Sequence, residues 1–279
     1  MPLVNSSTIL ANARNQGYGI PSLLAGDLEM IVGQIRAAEA LSSPLILAFN
    51  QGVTPGIPLD VGLAAAVDAA SKASVPVSVI LDHGESIEQI VSAIRNGTSS
   101  IMFDGSDLPY EENVHQTRQI VSIAHAVGVD VEAELGAIAG SSIHLGDVGP
   151  DEMMTDPNQA LDFVARTGVD VLAISFGNAH GIYTGKPQLD LERVRDIHNR
   201  INIPLAMHGA SGLEDDAYPE IIAAGISKIC YYTAMARQAS RSIYTHTAKA
   251  TEKDLIYHNI ITLTTDFFET SARHLRSLL

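Results

Sequence analysis

The sequence alternates between short apolar runs and longer amphipathic segments, and this alternation constrains the fold more than any other feature. The runs are continuously apolar rather than alternating in polarity, which is typical of strands buried on both faces of a parallel sheet. Eight runs occur in order: Gly19–Leu24, Pro44–Asn50, Pro76–Asp82, Ser99–Phe103, Asp130–Leu135, Asp170–Phe176, Pro204–His208 and Ile226–Tyr231. Eight strands separated by helices predict a closed parallel barrel.

The segments between the runs carry the signals of helices. Asp156-Pro157 predicts a helix start, because aspartate caps a helix and proline fits its first turn. Helix ends are predicted at glycines that precede the next strand: Gly97, Gly128, Gly168 and Gly225. Apolar faces at helical spacing are predicted from Leu28, Ile31, Ile35 and Ala38 in one segment and from Ile87, Ile90, Val91 and Ile94 in another.

The length of 279 residues is close to the roughly 250 that are typical of a (β/α)8 barrel. No linker or change in composition divides the chain, so we expect a single α/β domain over residues 1–279. We expect this (β/α)8 TIM barrel to end in a C-terminal helical extension, Glu252–Leu279. A doubly wound sheet is the alternative, but no Gly-x-Gly-x-x-Gly motif follows the first strand.

Acidic residues outnumber basic ones, 32 against 17, which gives a net charge of −15. This charge, with no basic cluster, argues against nucleic acid or an anionic membrane as a partner. An anionic substrate would need a metal ion or backbone N–H groups. The single cysteine, Cys230, excludes a disulfide framework, and residues 1–7 lack the regions of a secretory signal. We therefore expect a soluble cytoplasmic protein.

Histidines follow three of the predicted strands, each directly before a glycine. They are His83 after strand three, His180 after strand six and His208 at the end of strand seven. Because the carboxyl ends of barrel strands meet at one face, these imidazoles can converge there. Three histidines with one open position are typical of a catalytic zinc site. The alternative for each alone is a structural role, capping a strand end or bonding a loop carbonyl.

Carboxylates lie at the same strand ends. Asp82 is placed to act as a general base on a substrate hydroxyl, or alternatively to orient His83. Glu134 is a candidate further metal ligand or orients one. Glu132 is expected to point the opposite way into a barrel-wall network, and Asp104 could cap the following helix. The surface is the expected place of His115, His125, His198, His246, His258 and His274.

Glycine-rich loops after strands six and seven suggest an anion-binding site. Gly181 and the loop Gly209-Ala210-Ser211-Gly212 would expose backbone N–H groups, which can bind phosphate without formal charge. Phosphate sites of such barrels commonly lie near strands seven and eight. A plain tight turn is the alternative.

These residues resemble the class II, zinc-dependent ketose-bisphosphate aldolases, especially the tagatose-bisphosphate aldolase branch, up to about residue 240. The motifs that carry the resemblance are Leu81-Asp82-His83-Gly84, Met102-Phe103-Asp104-Gly105-Ser106, Glu111-Glu112-Asn113, Val131-Glu132-Ala133-Glu134-Leu135-Gly136, Thr155-Asp156-Pro157, Ala179-His180-Gly181 and His208-Gly209-Ala210-Ser211-Gly212-Leu213. The resemblance implies a (β/α)8 barrel, usually as a homodimer or homotetramer.

The resemblance also implies a site and a reaction. It implies zinc on the three histidines, Asp82 as the proton-transfer residue and a Na⁺ or K⁺ ion near the phosphate. The phosphate of a sugar substrate would lie on Gly181, Gly209, Ser211 and the turn around Thr233. The implied reaction is reversible cleavage of the C3–C4 bond of a ketose phosphate, which releases dihydroxyacetone phosphate and an aldehyde.

Three departures from the family pattern concern the substrate. Ser142 stands where a loop glutamate normally returns a proton, so His144, Asp147, Glu152 or water would have to substitute. Cys230 replaces the asparagine that orients the substrate, and Leu23-Leu24 replaces Phe-Asn. The arginine for a distal phosphate has three candidates without a spacing to choose between them: Arg237, Lys249 and Lys253.

The hypothesis is therefore a zinc-dependent aldolase acting on a phosphorylated ketose such as tagatose or fructose 1,6-bisphosphate, or on a less usual sugar phosphate. A non-catalytic sugar-phosphate-binding protein is the alternative, which the missing loop glutamate and Cys230 favour. A barrel zinc hydrolase is disfavoured, since no histidine precedes His83.

Overall fold

The computed structural model describes residues 2–53, 56–138, 154–181, 183, 185, 187–251 and 255–279. It contains the strands β1 Ile20–Leu24, β2 Leu45–Phe49, β3 Val77–Gly84, β4 Ser100–Phe103, β5 Asp130–Leu135, β6 Val171–Ile174, β7 Leu205–Met207 and β8 Ile226–Tyr231. Neighbouring strands pair in parallel, and β1 also pairs with β8, so the sheet closes. The predicted (β/α)8 barrel is confirmed, and every strand ends within two residues of its predicted bounds.

Helices cover the outside of the barrel. In the described ranges they are α1 Ser6–Gln16, α2 Leu28–Ala40, α3 Leu59–Lys72, α4 Ile87–Arg95, α5 Tyr110–His125, α6 Pro157–Thr167, α7 Leu191–Arg200, α8 Ala217–Ala224, α9 Thr233–Lys249 and α10 Tyr257–Leu278. The predicted start at Asp156 is confirmed, because its carboxylate accepts hydrogen bonds from two backbone N–H groups of α6. None of these helices combines the length and apolarity that crossing a bilayer requires.

The lower half of the barrel interior is apolar. Side chains from six strands meet there with residues of α1, which plugs the end where the strands begin. This cluster contains Ile9, Leu10, Ala13, Ile20, Ile46, Ala48, Ile80, Met102, Val171, Ala173 and Ala206. The plug therefore closes the end of the barrel at which the strands begin.

The plug is fixed by polar groups that point into the barrel from the strand starts. The N–H of Ser6 donates to Ser100 Oγ at 2.9 Å, and the N–H of Ser7 donates to Asp130 Oδ2 at 2.8 Å. These bonds satisfy two of the N–H groups that have no partner within the first turn of a helix. The barrel itself thus caps α1.

The outer helices bury a narrower face than the sequence pattern predicts. Ile31, Ile35 and Ile90 are buried, whereas Leu28 and Ile87 are 56% and 43% exposed. A helix on a barrel contacts the sheet with a single stripe, so apolar residues at the edge of the stripe remain in solvent. The prediction of the two complete faces is therefore only partly right.

The predicted C-terminal extension is confirmed over α10, which packs along α2. The helices approach so closely that a Cβ at Gly33 would lie 2.5 Å from the Thr265 carbonyl oxygen. At the far end, the N–H of Gly19 donates to the Leu279 carbonyl at 2.9 Å, next to the start of β1. Residue Glu252 of the predicted extension lies outside the described residues.

One histidine assigned to the surface, His198, is instead half-buried in a cluster with Arg14. Arg14 Nη1 lies 2.8 Å from His198 Nδ1, and its Nη2 donates to the carbonyls of His198 and Ile201 at 2.8 and 2.7 Å. Arg14 therefore satisfies carbonyls at the end of α7. Burial, followed by the charge of Arg14, lowers the pKa of His198 below its ordinary value of 6.5.

This shift predicts a dependence of stability on pH. Since the folded pKa is below the unfolded one, the unfolded chain binds the extra proton first, and stability from neutral His198 is lost as the pH falls below about 6.5. We expect the free energy of unfolding in urea to fall more steeply between pH 7.5 and 5.5 in the wild type than in His198→Asn. Asparagine keeps an acceptor for Arg14 but does not titrate, so equal slopes in the two proteins would contradict the prediction.

Candidate active site

The ends of the strands opposite α1 surround a cavity of about 550 Å³. Its size suits a small organic ligand. The cavity is lined by most of the residues that the sequence singled out, from strands β3, β6, β7 and β8 or the loops after them: Asp82, His83, His180, Gly181, His208, Gly209, Ser211, Cys230 and Thr233. These residues lie close together although they are distant in the chain.

The three histidines converge at the floor of this cavity. The ring centroids lie 4.6 Å apart for His83 and His208, 5.1 Å for His83 and His180, and 5.7 Å for His180 and His208. One nitrogen of each lies within 4.8 Å of one nitrogen of the other two. The three histidines therefore lie together, as their positions at the ends of strands predict.

His83 is held by an irregular strand end and by Asp104. It has a positive φ of 48°, and the register of β3 against β4 shifts between Leu81 and Gly84. Such a backbone is uncommon for a residue with a side chain and occurs mainly at functional sites. His83 Nδ1 lies 2.6 Å from Asp104 Oδ2, and because a carboxylate only accepts, Nδ1 is the donor. Asp104 thus orients His83 instead of capping α5.

His208 is oriented in the same way by Glu132. Its Nε2 lies 2.9 Å from Glu132 Oε1, while its Nδ1 lies 3.0 Å from His83 Nε2. The expectation that Glu132 points away from Glu134 is wrong, because residues two apart on a strand face the same side. Both glutamates point into the barrel, and both are buried.

Lys228 completes this group and was missed by the sequence analysis. Its Nζ donates to Glu132 Oε2 at 2.6 Å, and the side chain is wholly buried. The signal was present, since Lys228 lies two residues before Cys230 on β8 and must face the same side. Burial opposes the charge of Glu132, but Lys228 and His208 outweigh it and lower the pKa of Glu132 to about 2.

His180 differs from the other two histidines. Its ring nitrogens are buried, and no carboxylate holds either of them; the backbone of Ile138 lies beside the ring. Burial and the two neighbouring imidazoles lower the pKa of His180 to about 2, which favours the neutral ring. A neutral imidazole keeps a lone pair on one ring nitrogen, and this nitrogen is suited to coordinate a metal ion.

The donor set fits a divalent transition metal such as zinc. Neutral imidazoles are common zinc ligands, and the second nitrogen of such a ligand is usually held by a carboxylate, as found for His83 and His208. Burial would lower the pKa of His83, but the charge of Asp82 and the bond to Asp104 outweigh it and raise the pKa to about 9. The carboxylates around the histidines therefore stabilise positive charge at this point.

Glu134 lies beside this group. It is fully buried, its oxygens have no hydrogen-bond partner among the described residues, and Oε2 lies 3.9 Å from His83 Nδ1. Burial, with the nearby charge of Asp104, raises its pKa to about 8. Its oxygen groups with His83 and Asp104 rather than with the three converging nitrogens. Its role as a metal ligand stays a prediction.

Asp82 lies on the other side of the histidines. It is 7% exposed, and Oδ1 has no hydrogen-bond partner within the described part of the chain. One of its oxygens lies within 4.8 Å of ring or sulfur atoms of His208 and Cys230. Cys230 Sγ itself lies 3.6 Å from His208 Nε2. A carboxylate in this position can accept a proton from a molecule in the cavity.

The glycine-rich loops line the wall of the cavity next to β8. Gly209 has a φ of 73°, and a Cβ there would lie 2.2 Å from the carbonyl oxygen of Ala179. The Tyr183 hydroxyl joins the same two loops, since it donates to the Gly209 carbonyl at 2.9 Å and accepts from the Ala179 N–H at 3.0 Å. Only glycine allows this close approach, which the sequence analysis had not identified as the reason for the motif.

The first turn of α9 opens onto this wall. Thr233 is its first residue, and no side chain caps it. Ser211 Oγ accepts from the N–H of Tyr232 at 3.0 Å. Uncapped N–H groups at the start of a long helix suit an anion. Ala210 does not take part as predicted, because its N–H donates to the Cys230 carbonyl at 3.3 Å and its side chain is in the core.

Some predicted residues do not lie at the cavity. Ser142, His144, Asp147, Glu152 and Lys253 lie outside the described residues. Arg237 and Lys249 are on α9 but do not line the cavity, and Lys249 instead borders a groove between α9 and α10.

Comparisons with known proteins agree on one family. The family model described as "Fructose-bisphosphate aldolase class-II" matches residues 4–277. The uncharacterized protein YdjI of Escherichia coli strain K12 is 38% identical over 228 residues, which cover 82% of each chain.

Solved structures agree with these matches. The crystal structure of the YdjI aldolase from Escherichia coli K12 has a TM-score of 0.88 at 33% identity and covers 99% of this chain and 97% of that one. A putative fructose-1,6-biphosphate aldolase from Coccidioides immitis has a TM-score of 0.85 at 28% identity, covering 98% and 95%. The fructose-bisphosphate aldolase of Campylobacter jejuni, at 19% identity, shares the fold with a TM-score of 0.81 over 99% and 95%.

The close approach at Gly209 gives a test of the loop geometry. Gly209→Ala should lower the free energy of unfolding in urea by about 2–4 kcal/mol, because a positive φ and a clash with backbone act together. Gly128→Ala is the matched control, since Gly128 has a φ of 75° with nothing within 4 Å of its Cβ position. We expect it to cost about 1–2 kcal/mol. Equal losses in both variants would show that the predicted clash does not occur.

Proposed function

The chain belongs to the class-II fructose-bisphosphate aldolase family, and from that premise we propose that it is a zinc-dependent aldolase. In this proposal it cleaves a phosphorylated ketose to dihydroxyacetone phosphate and an aldehyde. The observation that carries the proposal is the convergence of three histidines beside a buried carboxylate oxygen that has no partner among the described residues.

The metal would be held by His83, His180 and His208. A divalent ion bound there would act as a Lewis acid that polarises the ketose carbonyl and stabilises the negative charge left by bond cleavage. Asp104 and Glu132 keep two of the imidazoles oriented through their outer nitrogens.

The substrate phosphate would bind at the glycine-rich wall of the cavity, next to β8. Gly181, Gly209 and the first turn of α9 at Thr233 offer backbone N–H groups, and Ser211 lines the same wall. Such groups bind an anion through their dipoles, which suits a chain that carries a net charge of −15. A Na⁺ or K⁺ ion near the phosphate, as the family resemblance implies, belongs to the same proposal.

Asp82 would transfer the proton. Its carboxylate would accept the proton of the C4 hydroxyl, so that C4 becomes a carbonyl and the electrons of the C3–C4 bond remain on C3. Protonation of C3 then releases dihydroxyacetone phosphate. The residues that we considered for this last proton, His144, Asp147 and Glu152, lie outside the described residues.

The nearest named substrates are fructose and tagatose 1,6-bisphosphate, and the name of the Coccidioides immitis protein supports this class. The second candidate is a member of the fold with altered specificity or without catalysis. Cys230 favours it, because a thiol stands 3.6 Å from His208 where the family resemblance implies an asparagine for the substrate.

The proposal includes a cytoplasmic homodimer or homotetramer that acts on small sugar phosphates and not on nucleic acid or membranes. Support for an oligomer comes from the segment around the end of α9 and the start of α10. It exposes apolar and aromatic side chains, Tyr244, Leu255, Ile256 and Tyr257. Exposed groups of this kind often mark protein interfaces.

We expect the zinc-loaded protein to release dihydroxyacetone phosphate from at least one member of a panel of ketose phosphates and bisphosphates. The release is measured with a coupled dehydrogenase assay. A chelator should abolish it and added zinc should restore it, because carbonyl polarisation requires the metal. Release from no member of the panel, with zinc bound, would favour the non-catalytic candidate.

Two variants separate the roles within that assay. Asp82→Ala should lower kcat by about 10²- to 10⁴-fold at unchanged zinc content, because it removes only the base. His208→Ala should lower both zinc content and activity. Unchanged turnover of Asp82→Ala would exclude Asp82 as the base, and full zinc occupancy of His208→Ala would exclude it as a ligand.

The oligomer is tested by sedimentation or light scattering of the whole protein. We expect a mass of two or four times 29.6 kDa. Replacing the exposed Tyr244 and Tyr257 by serine should shift the mass towards one chain, because it removes apolar contact area. A single-chain mass for the unchanged protein would exclude the oligomer.

A further inference from the structure

We propose that Lys228 is a positioning residue of the candidate metal centre, which acts through Glu132 to fix the direction in which His208 presents Nδ1. This inference rests on the zinc site of the proposed function. It concerns a side chain that the proposed reaction does not use and that lies beneath the floor of the cavity.

The three side chains form one continuous chain of hydrogen bonds. Lys228 Nζ donates to Glu132 Oε2 at 2.6 Å, and Glu132 Oε1 accepts from His208 Nε2 at 2.9 Å. The other ring nitrogen, Nδ1, lies 3.0 Å from His83 Nε2. Each oxygen of Glu132 therefore serves one partner, and the hydrogen on Nε2 leaves Nδ1 as the nitrogen available to a metal.

Burial makes this arrangement depend on the ammonium group. Lys228 is 0% exposed, while Glu132 and His208 are each 1% exposed, so no solvent can replace a lost partner. Without Lys228, Oε2 of Glu132 has no hydrogen-bond donor in the part of the chain that the structure describes. The carboxylate is then no longer fixed in the orientation in which Oε1 accepts the hydrogen of His208 Nε2.

Strand register places Lys228 at the required position. On β8, Lys228 and Cys230 face the barrel interior, and Lys228 pairs in register with Ala206 of β7, two residues before His208. Cys230 Sγ lies 3.6 Å from the same His208 Nε2. Cys230 of this strand thus lies beside the His208 ring, while Lys228 of the same strand bonds the carboxylate that orients it.

Stability alone does not account for the pair. Removing two charges from water costs about as much as their attraction returns, and apolar replacements of buried ion pairs are often neutral or stabilising. The lower interior of this barrel is filled by apolar side chains, which shows that the fold can use them there. A role in orienting His208 explains why the ion pair of Lys228 and Glu132 occurs in the barrel interior.

The test measures the zinc dissociation constant of the whole protein by competition with a chromophoric chelator. We expect Lys228→Met to bind zinc about 10- to 100-fold more weakly, as for other losses of outer-shell partners. Simple charge repulsion predicts the opposite sign, because removing a cation near a dication strengthens binding. Equal or tighter zinc binding by Lys228→Met would overturn the proposal.

A double-mutant cycle tests whether Lys228 acts through Glu132. Glu132→Gln should weaken zinc binding by itself, and adding Lys228→Met to it should cause no further weakening, because the carboxylate that Lys228 directs is gone. If Lys228→Met weakens zinc binding to the same extent in both backgrounds, Lys228 does not act through Glu132 and the proposal is wrong.

Ile46→Ala is the control for general loosening of the barrel, since Ile46 is a buried interior residue that does not belong to this chain of bonds. It should lower the thermal midpoint without changing zinc affinity. An equal loss of zinc affinity in Ile46→Ala and Lys228→Met would overturn the positioning role.

A second measurement remains decisive if Lys228→Met does not fold. Nitrogen-15 NMR of the zinc-loaded wild type reports which ring nitrogen of His208 carries the hydrogen, with the resonance assigned by its loss in His208→Gln. We expect hydrogen on Nε2, and hydrogen on Nδ1 would refute the proposal. Absence of zinc binding by the wild type would instead refute the metal centre of the proposed function.

Discussion

Pairing of buried ionic side chains inside the closed barrel is the constraint on which the rest of the site depends. A carboxylate that is removed from water stays ionised only where a donor or a cation stabilises it, and otherwise its pKa rises, as it does for Glu134. Asp104 accepts a hydrogen bond from His83, while Glu132 accepts hydrogen bonds from both Lys228 and His208. These pairings use the outer nitrogens of two imidazoles and turn the remaining nitrogens towards one another. The geometry suited to a metal follows from the way in which the carboxylates are satisfied.

The same pairing explains why the three histidines, although adjacent, have different properties. The pKa of His83 is raised by Asp82 and Asp104, and that of His208 by Cys230 and Glu132. Burial and the two neighbouring imidazoles instead lower the pKa of His180 and favour its neutral form. Asp82 and Asp104 line the cavity with the histidines, and Gly181, Gly209 and Thr233 line it as well. The same cavity therefore offers groups suited to a cation and groups suited to an anion.

The fold and much of the site could be predicted because in a barrel the order of apolar runs along the sequence determines where each strand, and the residue at its end, lies. Continuous apolar runs gave the strands, and the strand ends placed His83, His180 and His208 on one face. Strand alternation also predicts that Lys228 faces the same side as Cys230 and that Glu132 faces the same side as Glu134, and this signal was overlooked. What a linear pattern does not contain is the partner of each group: the Cys230 carbonyl takes the N–H of Ala210, and Lys228 bonds Glu132, 96 residues away. Side-chain partners of that kind depend on closure of the barrel.

The three carboxylates of β5 have a consequence for the order of folding. Asp130, Glu132 and Glu134 all point inward along one strand, and two of them depend on distant segments, α1 for Asp130 and β7 with β8 for Glu132. Until those segments arrive, enclosing β5 would bury charges without partners. Barrel closure is therefore coupled to the docking of the first helix and the last two strands. In the closed barrel, segments near both ends of the sequence therefore stabilise charges that lie in its middle.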